Sequence, residues 1–308
     1  MNLKINIIKY AFIAIVLSLI NVARACDICG CAPSMSPLQV LPFFNQNMIG
    51  VYNSYTQFKH PATSLNKDGD FLIYDRLVTS TFVYRSAIND KIQALFELPI
   101  HANSRVYHAF NEHVLGVGDI AGRLIYNRTL YKKGANISIV RINPRVSMPT
   151  GTYMNRGNDK LMLPIGMQPG TGSWSFSLNM DFTMRFNNIG LNVISSLQGF
   201  TKNELDYQLG NRSVLGLTAS YYKEKNTTTT IPFLGVLHEG IGKDRKYGVI
   251  DDATGGGRTA ISCGISHYRK RVGVHSQINL PVKQSMAVYQ PKLNVNATIS
   301  VMYFLSSQ

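Results

Sequence analysis

From residue 173 onward the chain alternates without a miss. Trp174, Phe176, Leu178, Met180, Phe182, Met184 and Phe186 fall on one side, and Ser173, Ser175, Ser177, Asn179, Asp181, Thr183 and Arg185 on the other. A period of two held this long predicts a β-strand with one apolar and one polar face. It also exceeds the roughly five or six residues of an ordinary globular strand. The last strand repeats the pattern, with Leu293, Val295, Ala297, Ile299, Val301, Tyr303 and Leu305 set against Lys292, Asn294, Asn296, Thr298 and Ser300. Ile92, Ala94, Phe96, Leu98 and Ile100 alternate with Lys91, Gln93 and Glu97, and Leu215, Leu217, Ala219 and Tyr221 with Arg212, Thr218 and Ser220.

About twelve such runs begin near 48, 71, 91, 116, 135, 173, 189, 212, 231, 258, 271 and 291. The connections at 86–90, 132–134, 187–188, 223–229 and 269–270 are short. Those at 59–70, 102–115, 149–172, 201–210, 239–257 and 282–290 are longer, and the two kinds alternate strictly. Long amphipathic strands with alternating short and long connections predict an all-β fold: a transmembrane antiparallel up-and-down barrel with short periplasmic turns and long external loops. Closure is required because a strand edge facing lipid would leave backbone groups unpaired. Pro144 and Pro232 interrupt two runs and leave ten or fourteen strands as alternatives to twelve. Aromatic residues near the strand ends are expected as interface girdles: Tyr84, Tyr126, Tyr131, Phe186, Tyr221, Tyr222, Tyr268 and Phe304 at one end, Phe58, Phe71, Trp174 and Phe200 at the other. A soluble secreted sandwich is the competing architecture; strands of this length count against it.

The N-terminus adds a location. Lys4 and Lys9 precede an apolar stretch from Ala11 to Ile20, broken by Ser18, and Ala23-Arg24-Ala25 supplies small residues for cleavage. This reads as an export signal over 1–25, followed by a Cys- and Pro-containing periplasmic leader or partial plug over 26–47 and the barrel over 48–308. The predicted destination is the outer membrane of a Gram-negative cell, reached through the periplasm. Cysteine at position 26 raises lipid attachment as a rival fate, which Ala23 and Arg24 disfavour. Hydrophobic residues make up 45% of the chain and charged ones 16%, which excludes a disordered chain.

Further segments stand out by their letters. They are Cys26-Asp27-Ile28-Cys29-Gly30-Cys31, Leu41-Pro42-Phe43-Phe44, Gly116-Val117-Gly118-Asp119-Ile120, Met148-Pro149-Thr150-Gly151 and Gln168-Pro169-Gly170-Thr171-Gly172-Ser173. Together they resemble an outer-membrane β-barrel transporter family related to the meta-pathway phenol-degradation proteins. The likeness spans most of the mature chain, and the segment at 168–173 is its most specific part. It implies a channel-like barrel related to those that pass hydrophobic or aromatic compounds. It implies no catalytic residues.

Lys and Arg number 31 and Asp and Glu 17, a net charge of +14. On the polar strand faces Lys91, Arg123, Arg185, Arg212, Arg258, Arg271 and Lys292 outnumber Glu97, Asp119 and Asp181, with His275, Gln277 and Asn279 beside them. These are the expected lumen and selectivity residues, because a cationic wall concentrates anions. The bland reading is that the charges pair and brace a filled barrel. Cys26, Cys29 and Cys31 are a candidate site for copper or zinc, weakly supported by Met148, Met154, Met162 and Met167 and by His60, His101, His108 and His113 in the predicted loops. Their plain alternative is a disulfide. Cys263 lies on an apolar strand face, where a small lipid-facing residue is expected. Gly116-x-Gly118-x-x-x-Gly122 sits in a strand pattern and reads as strand glycines, not as a dinucleotide fingerprint. His275-Ser276 and Ser266-His267 are adjacent pairs whose members point to opposite faces, so no hydrolytic pairing is expected and an enzyme is disfavoured.

The sequence therefore predicts a channel that passes a small solute by diffusion, hydrophobic or anionic, with no cofactor. Outer-membrane lipid is the expected partner and nucleic acid is not, since the cations alternate around a barrel. The alternatives are a copper-handling barrel using the N-terminal thiols and a structural or adhesive barrel with a closed lumen.

Overall fold

The computed structural model describes residues 46–60, 73–106, 111–155, 163–287 and 290–305. Twelve antiparallel strands close into a barrel. In chain order they are β1 (Met48–Lys59), β2 (Tyr74–Ala87), β3 (Ile92–Val106), β4 in two pieces (Asn111–Val117 and Ala121–Lys133), β5 (Asn136–Ser147), β6 (Ser175–Phe186), β7 (Ile189–Phe200), β8 (Arg212–Tyr221), β9 (Thr228–Ile241), β10 (Gly256–Arg269), β11 (Val272–Met286) and β12 (Lys292–Phe304). Neighbours in sequence are neighbours in the wall, and β1 pairs with β12 from Met48↔Phe304 to Lys59↔Lys292, which closes it. Twelve extended residues measure about 40 Å and, tilted by about 40°, cross about 30 Å, the thickness of a bilayer's hydrocarbon.

Alternation sorts the side chains as the sequence implies. Phe82, Leu98, Phe176, Leu191, Leu217, Leu234, Ile261, Leu280 and Val301 are exposed on the outer face, each between buried or half-buried inward-facing neighbours. An apolar exterior around a closed barrel is the surface a membrane requires. A small three-stranded sheet (Tyr207–Gln208, Arg245–Lys246, Val249–Ile250) tops the long-loop end.

Several details differ from the sequence reading. β3 runs on to Val106 and β4 begins at Asn111, so most of the expected loop 102–115 is a hairpin arm. β11 likewise extends to Met286. β4 breaks at 118–120, so Gly118 is not a strand glycine: its first piece pairs with the upper half of β3 and its second with the lower half. Five expected girdle residues, Phe58, Phe200, Tyr222, Tyr268 and Phe304, are buried, while Tyr84, Tyr126, Tyr131, Trp174, Phe186 and Tyr221 are exposed at the wall as girdles should be. Phe71 lies outside the described residues. A bulge at Gln57/Phe58 pairs Gln57 with Val295 and Phe58 with Leu293. The extra residue reverses the alternation there, which buries Leu293 and leaves Lys292 exposed.

Candidate functional site: the barrel lumen

The lumen is layered. At the short-turn end Met48, Leu95, Ile231, Tyr268, Met302 and Phe304 pack into one cluster with Val83, Ile125 and Tyr222. Met48, Leu95, Ile231 and Met302 have 0% exposure, so no water-sized sphere reaches them. These residues form a floor. The Arg85 guanidinium lies 5.9 Å from the centre of the Phe304 ring, and its Nη2 donates to the Gln46 carbonyl.

Above the floor the charges are mostly paired. Glu97 is shared by Arg123, at 2.9 Å, and Arg145, at 2.7 Å. Arg141 meets Asp181 at 3.2 Å and donates to Thr183. Arg258 binds Glu239 at 2.5 Å and lies over Phe58. Arg105 grips both oxygens of Asp75, which also meets His60 at 2.6 Å. Burying such charges is costly unless they pair with good geometry, and here they tie β3 to β4 and β5, β5 to β6, and β9 to β10.

An uncharged chain of side-chain bonds lines the other wall. It runs from Ser266 through His275, Gln277, Asn279 and Asn296 to Thr56. Ser266 Oγ lies 2.8 Å from His275 Nδ1, so a serine and a histidine do meet across strands, contrary to expectation. Ser266 is fully buried and His275 stacks on Phe233 with ring centres 5.4 Å apart. The other ring nitrogen of His275 meets Gln277 Oε1 at 3.3 Å, where a hydrolase would place its carboxylate or amide orienter. A sealed serine offers no access to a substrate, and the pair acts as wall structure.

Between floor and mouth the inward side chains become small and partly exposed. Ser54, Thr79, Thr81 and Thr298 line one side, and Ser177, Ser196 and Gln198 the other. These hydroxyls and amides line the lumen between the two ends.

The long-loop end is covered. Leu163 and Met167, from the segment after β5, pack against Phe58, Leu77, Val114 and Leu293. A short 3-10 turn, Ile165–Met167, presents Met167 inward, and Asn103 Nδ2 donates to its carbonyl at 3.0 Å. The Gln168 amide stitches this lid together, donating to the carbonyls of Asn155 and Leu163 and accepting from Asn155. Asp119, at the break in β4, then fastens it to the wall. Its carboxylate accepts from Gly151 N at 2.9 Å, Thr171 N at 2.9 Å and Thr171 Oγ1 at 2.6 Å. The three backbones cross so closely that a Cβ on Gly151 would lie 2.7 Å from both Gly118 C and Gly170 Cα, so only glycine fits. The segments at 116–120, 148–151 and 168–173, far apart in sequence, thus converge on one latch.

Of the residues singled out in sequence, Glu97, Arg123, Asp181, Arg212, Arg258 and His275 lie inside the barrel, and Asp119 holds the latch. Arg185 sits at the short-turn end over the Tyr222 ring, at 4.2 Å, and pairs with Glu224. Lys91 and Arg271 occupy turns and Lys292 a strand end, all exposed. Cys26, Cys29, Cys31, His108 and Met162 lie outside the described residues, and Cys263 is a half-buried free thiol on the outer face. Arg141, Arg145, Arg105 and Glu239 escaped the sequence reading, as did the lid.

The fold has known counterparts. An outer membrane channel from Pseudomonas putida F1 superposes with a TM-score of 0.68 at 14% identity, covering 88% of this chain and 98% of that one. The β domain of the Bordetella autotransporter BrkA matches with a TM-score of 0.50 at 10% identity, covering 84% of this chain and 99% of that one. At these identities the likeness is one of fold, and the fold is the one the motif resemblance implies. No family model and no curated protein matches the chain.

Proposed function

We propose that this barrel is a gated outer-membrane channel for a small solute with an apolar body, with the long-loop end outside the cell. The lid carries the reading. A single loop segment puts Leu163 and Met167 into an apolar mouth made by Phe58, Leu77, Val114 and Leu293. A solute that displaces Leu163 and Met167 must replace apolar contacts, which a carbon-rich body does and a strongly hydrated one does not. Beneath the mouth, the hydroxyls of Ser54, Thr79, Thr81 and Thr298 offer bonds to one polar group at a time.

The experiment is conductance and uptake with the lid cut back. In planar bilayers Leu163→Ala/Met167→Ala is expected to conduct in longer and larger steps than the parent chain. Cells carrying it are expected to take up the apolar probe 1-N-phenylnaphthylamine faster. A folded, heat-modifiable double variant that matches the parent in both assays refutes the channel reading.

A further inference from the structure

Two bulges turn lysines to the outside of the barrel on neighbouring strands. On β12 the inward positions run Ser300, Thr298, Asn296, a phase that would carry Lys292 inside. The bulge at Gln57/Phe58 buries Leu293 instead and exposes Lys292. On β11 the inward positions run His275, Gln277, Asn279, a phase that would likewise take Lys283 inside. A second bulge pairs Thr259 with Lys283 and Ala260 with Pro281, and the extra residue turns Lys283 out. Asn279 faces Asn296, and each lysine follows by the same number of ladder steps, so the two stand side by side. Gln284 fixes this register, donating to the Leu293 carbonyl at 2.9 Å and accepting from Leu293 N at 2.8 Å. Lys292 is in turn the direct partner of Lys59 on β1. Lys59 faces Tyr74 on β2, which makes Arg76 its diagonal neighbour.

The result is a band of positive charge on one side of the outer wall. Lys283, Lys292, Lys59 and Arg76 are all exposed. The other described cations at the long-loop end of the strands, Arg105, Arg145, Arg212 and Arg258, point inward. Among the described residues no carboxylate shares this outer face, since Asp75 turns inward to Arg105 and His60. Like charges on directly opposed residues destabilise a sheet, and Lys59 and Lys292 are such a pair until an anion bridges them. From β11 to β2 the band crosses three strand spacings, about 14 Å. Beneath the cations Asn294 Nδ2 donates to Gln57 Oε1 at 2.6 Å, an exposed polar step. Below that, Val78, Leu280 and Ile261 are exposed on the apolar wall. Cation, amide and hydrocarbon follow one another down the wall in the order that a phosphorylated glycolipid presents phosphate, sugar and acyl chain.

We propose that Lys283, Lys292, Lys59 and Arg76 form a binding site for the phosphates of lipid A, the phosphorylated glycolipid of the outer leaflet. Lys59 and Lys292 converge on one phosphate, and the width of the band lets Arg76 or Lys283 reach the phosphate at the other end of the disaccharide. The inference rests on the orientation proposed above, with the long loops outside, and not on conduction. It also gives the two bulges a purpose, because each re-aims one lysine from the lumen to the lipid.

The test titrates the full chain in detergent with bisphosphorylated lipid A, and with the same lipid stripped of both phosphates, counting bound lipid by native mass spectrometry. The parent is expected to bind the stripped lipid roughly tenfold more weakly, or worse. K59Q/K292Q is expected to lose about 30-fold in affinity, at about fivefold for each cation near an anionic lipid surface. K59R/K292R is expected to keep the parent's affinity. K202Q/K246Q removes two exposed lysines from the long loops, outside the band, and is expected to change nothing. Equal affinity for the two lipids, a folded K59Q/K292Q with the parent's affinity, or equal losses in the two glutamine variants each overturn the site and leave the channel reading standing. Displacement of the lipid by inorganic phosphate, but not by sodium chloride of equal ionic strength, assigns the band to a free anion and overturns the lipid. Orientation is checked separately, by labelling V249C, at a position with 71% exposure in the long-loop sheet, with an impermeant maleimide on intact cells. Labelling above the parent is expected; labelling only after the outer membrane is permeabilised defeats the orientation and the lipid A assignment together.

Discussion

The latch at Asp119 makes the most demanding prediction. Asp119→Ala removes an acceptor that holds Gly151 N, Thr171 N and Thr171 Oγ1. Hydrogen bonds to a charged group contribute about 1.5–3 kcal/mol each, and the three share one carboxylate, so about 3–5 kcal/mol is a reasonable total. The backbone donors find water once the segment lifts, so the loss falls on the closed arrangement and not on the barrel wall. At about 1.4 kcal/mol per tenfold, the closed-to-open ratio of the lid should drop by roughly 100- to 3,000-fold. Asp119→Asn keeps one acceptor oxygen and should lie well below that. Two readouts check it: open probability in planar bilayers, and the rate at which a cysteine at position 167 reacts with a water-soluble maleimide. Met167 has 0% exposure in the closed arrangement, so labelling reports lifting directly. A folded, heat-modifiable Asp119→Ala protein with the parent's open probability and an unreactive position 167 would show that the lid is held by its other contacts and not by Asp119.

Three further outcomes follow from the same structure. Leu95→Ala, at a fully buried floor position, should cost about 2–5 kcal/mol of stability and lower the temperature of the heat-modifiable gel shift. Gly151→Ala forces a Cβ to 2.7 Å from two backbone atoms, so it should loosen the lid as Asp119→Ala does; unchanged labelling at position 167 would count against the crossing. Glu224, in the turn after β8, is held below the usual carboxylate range chiefly by its hydrogen bond from Arg185. Its pairing should be complete at neutral pH and lost as pH falls through that lowered value, and Arg185→Gln should raise the Glu224 midpoint in a carboxylate NMR titration.

The strands and their number were legible because a membrane wall imposes one rule, apolar outward and polar inward, on every strand. Where the sequence reading erred, a second signal overrode that rule. Phe200 shares its phase with inward Asn192 and Ser196, and Tyr268 with inward Ser262 and Ser266, so alternation alone points both inside. Proximity to a strand end suggested girdles instead. Arg141 and Arg145 escaped for a different reason: β5 carries Ile137 and Ile139 in the same phase as its arginines, and Pro144 in the other, so neither face reads as polar. Lys292 depended on a bulge, and a bulge leaves no mark in composition. The lid and latch could not be read from periodicity at all, because they join segments some fifty residues apart through a break in a strand. Their letters were visible as motifs, while their shared purpose became visible only as geometry.

The two ends of the lumen are closed in different ways, and in the proposed channel that difference sets the order of opening. The floor draws Met48, Leu95, Ile231, Tyr268, Met302 and Phe304 from β1, β3, β9, β10 and β12, strands whose backbones are fixed by their ladders. Only side-chain rotations can part it, and Met48 and Met302 are the flexible members. The lid is one segment outside the ladders, attached through Asp119, Asn103 and the bond from Thr152 N to the Val117 carbonyl, and it can lift without breaking a strand pair. On the proposed channel reading, a solute arriving from the long-loop side meets the labile closure first and the stiff one second.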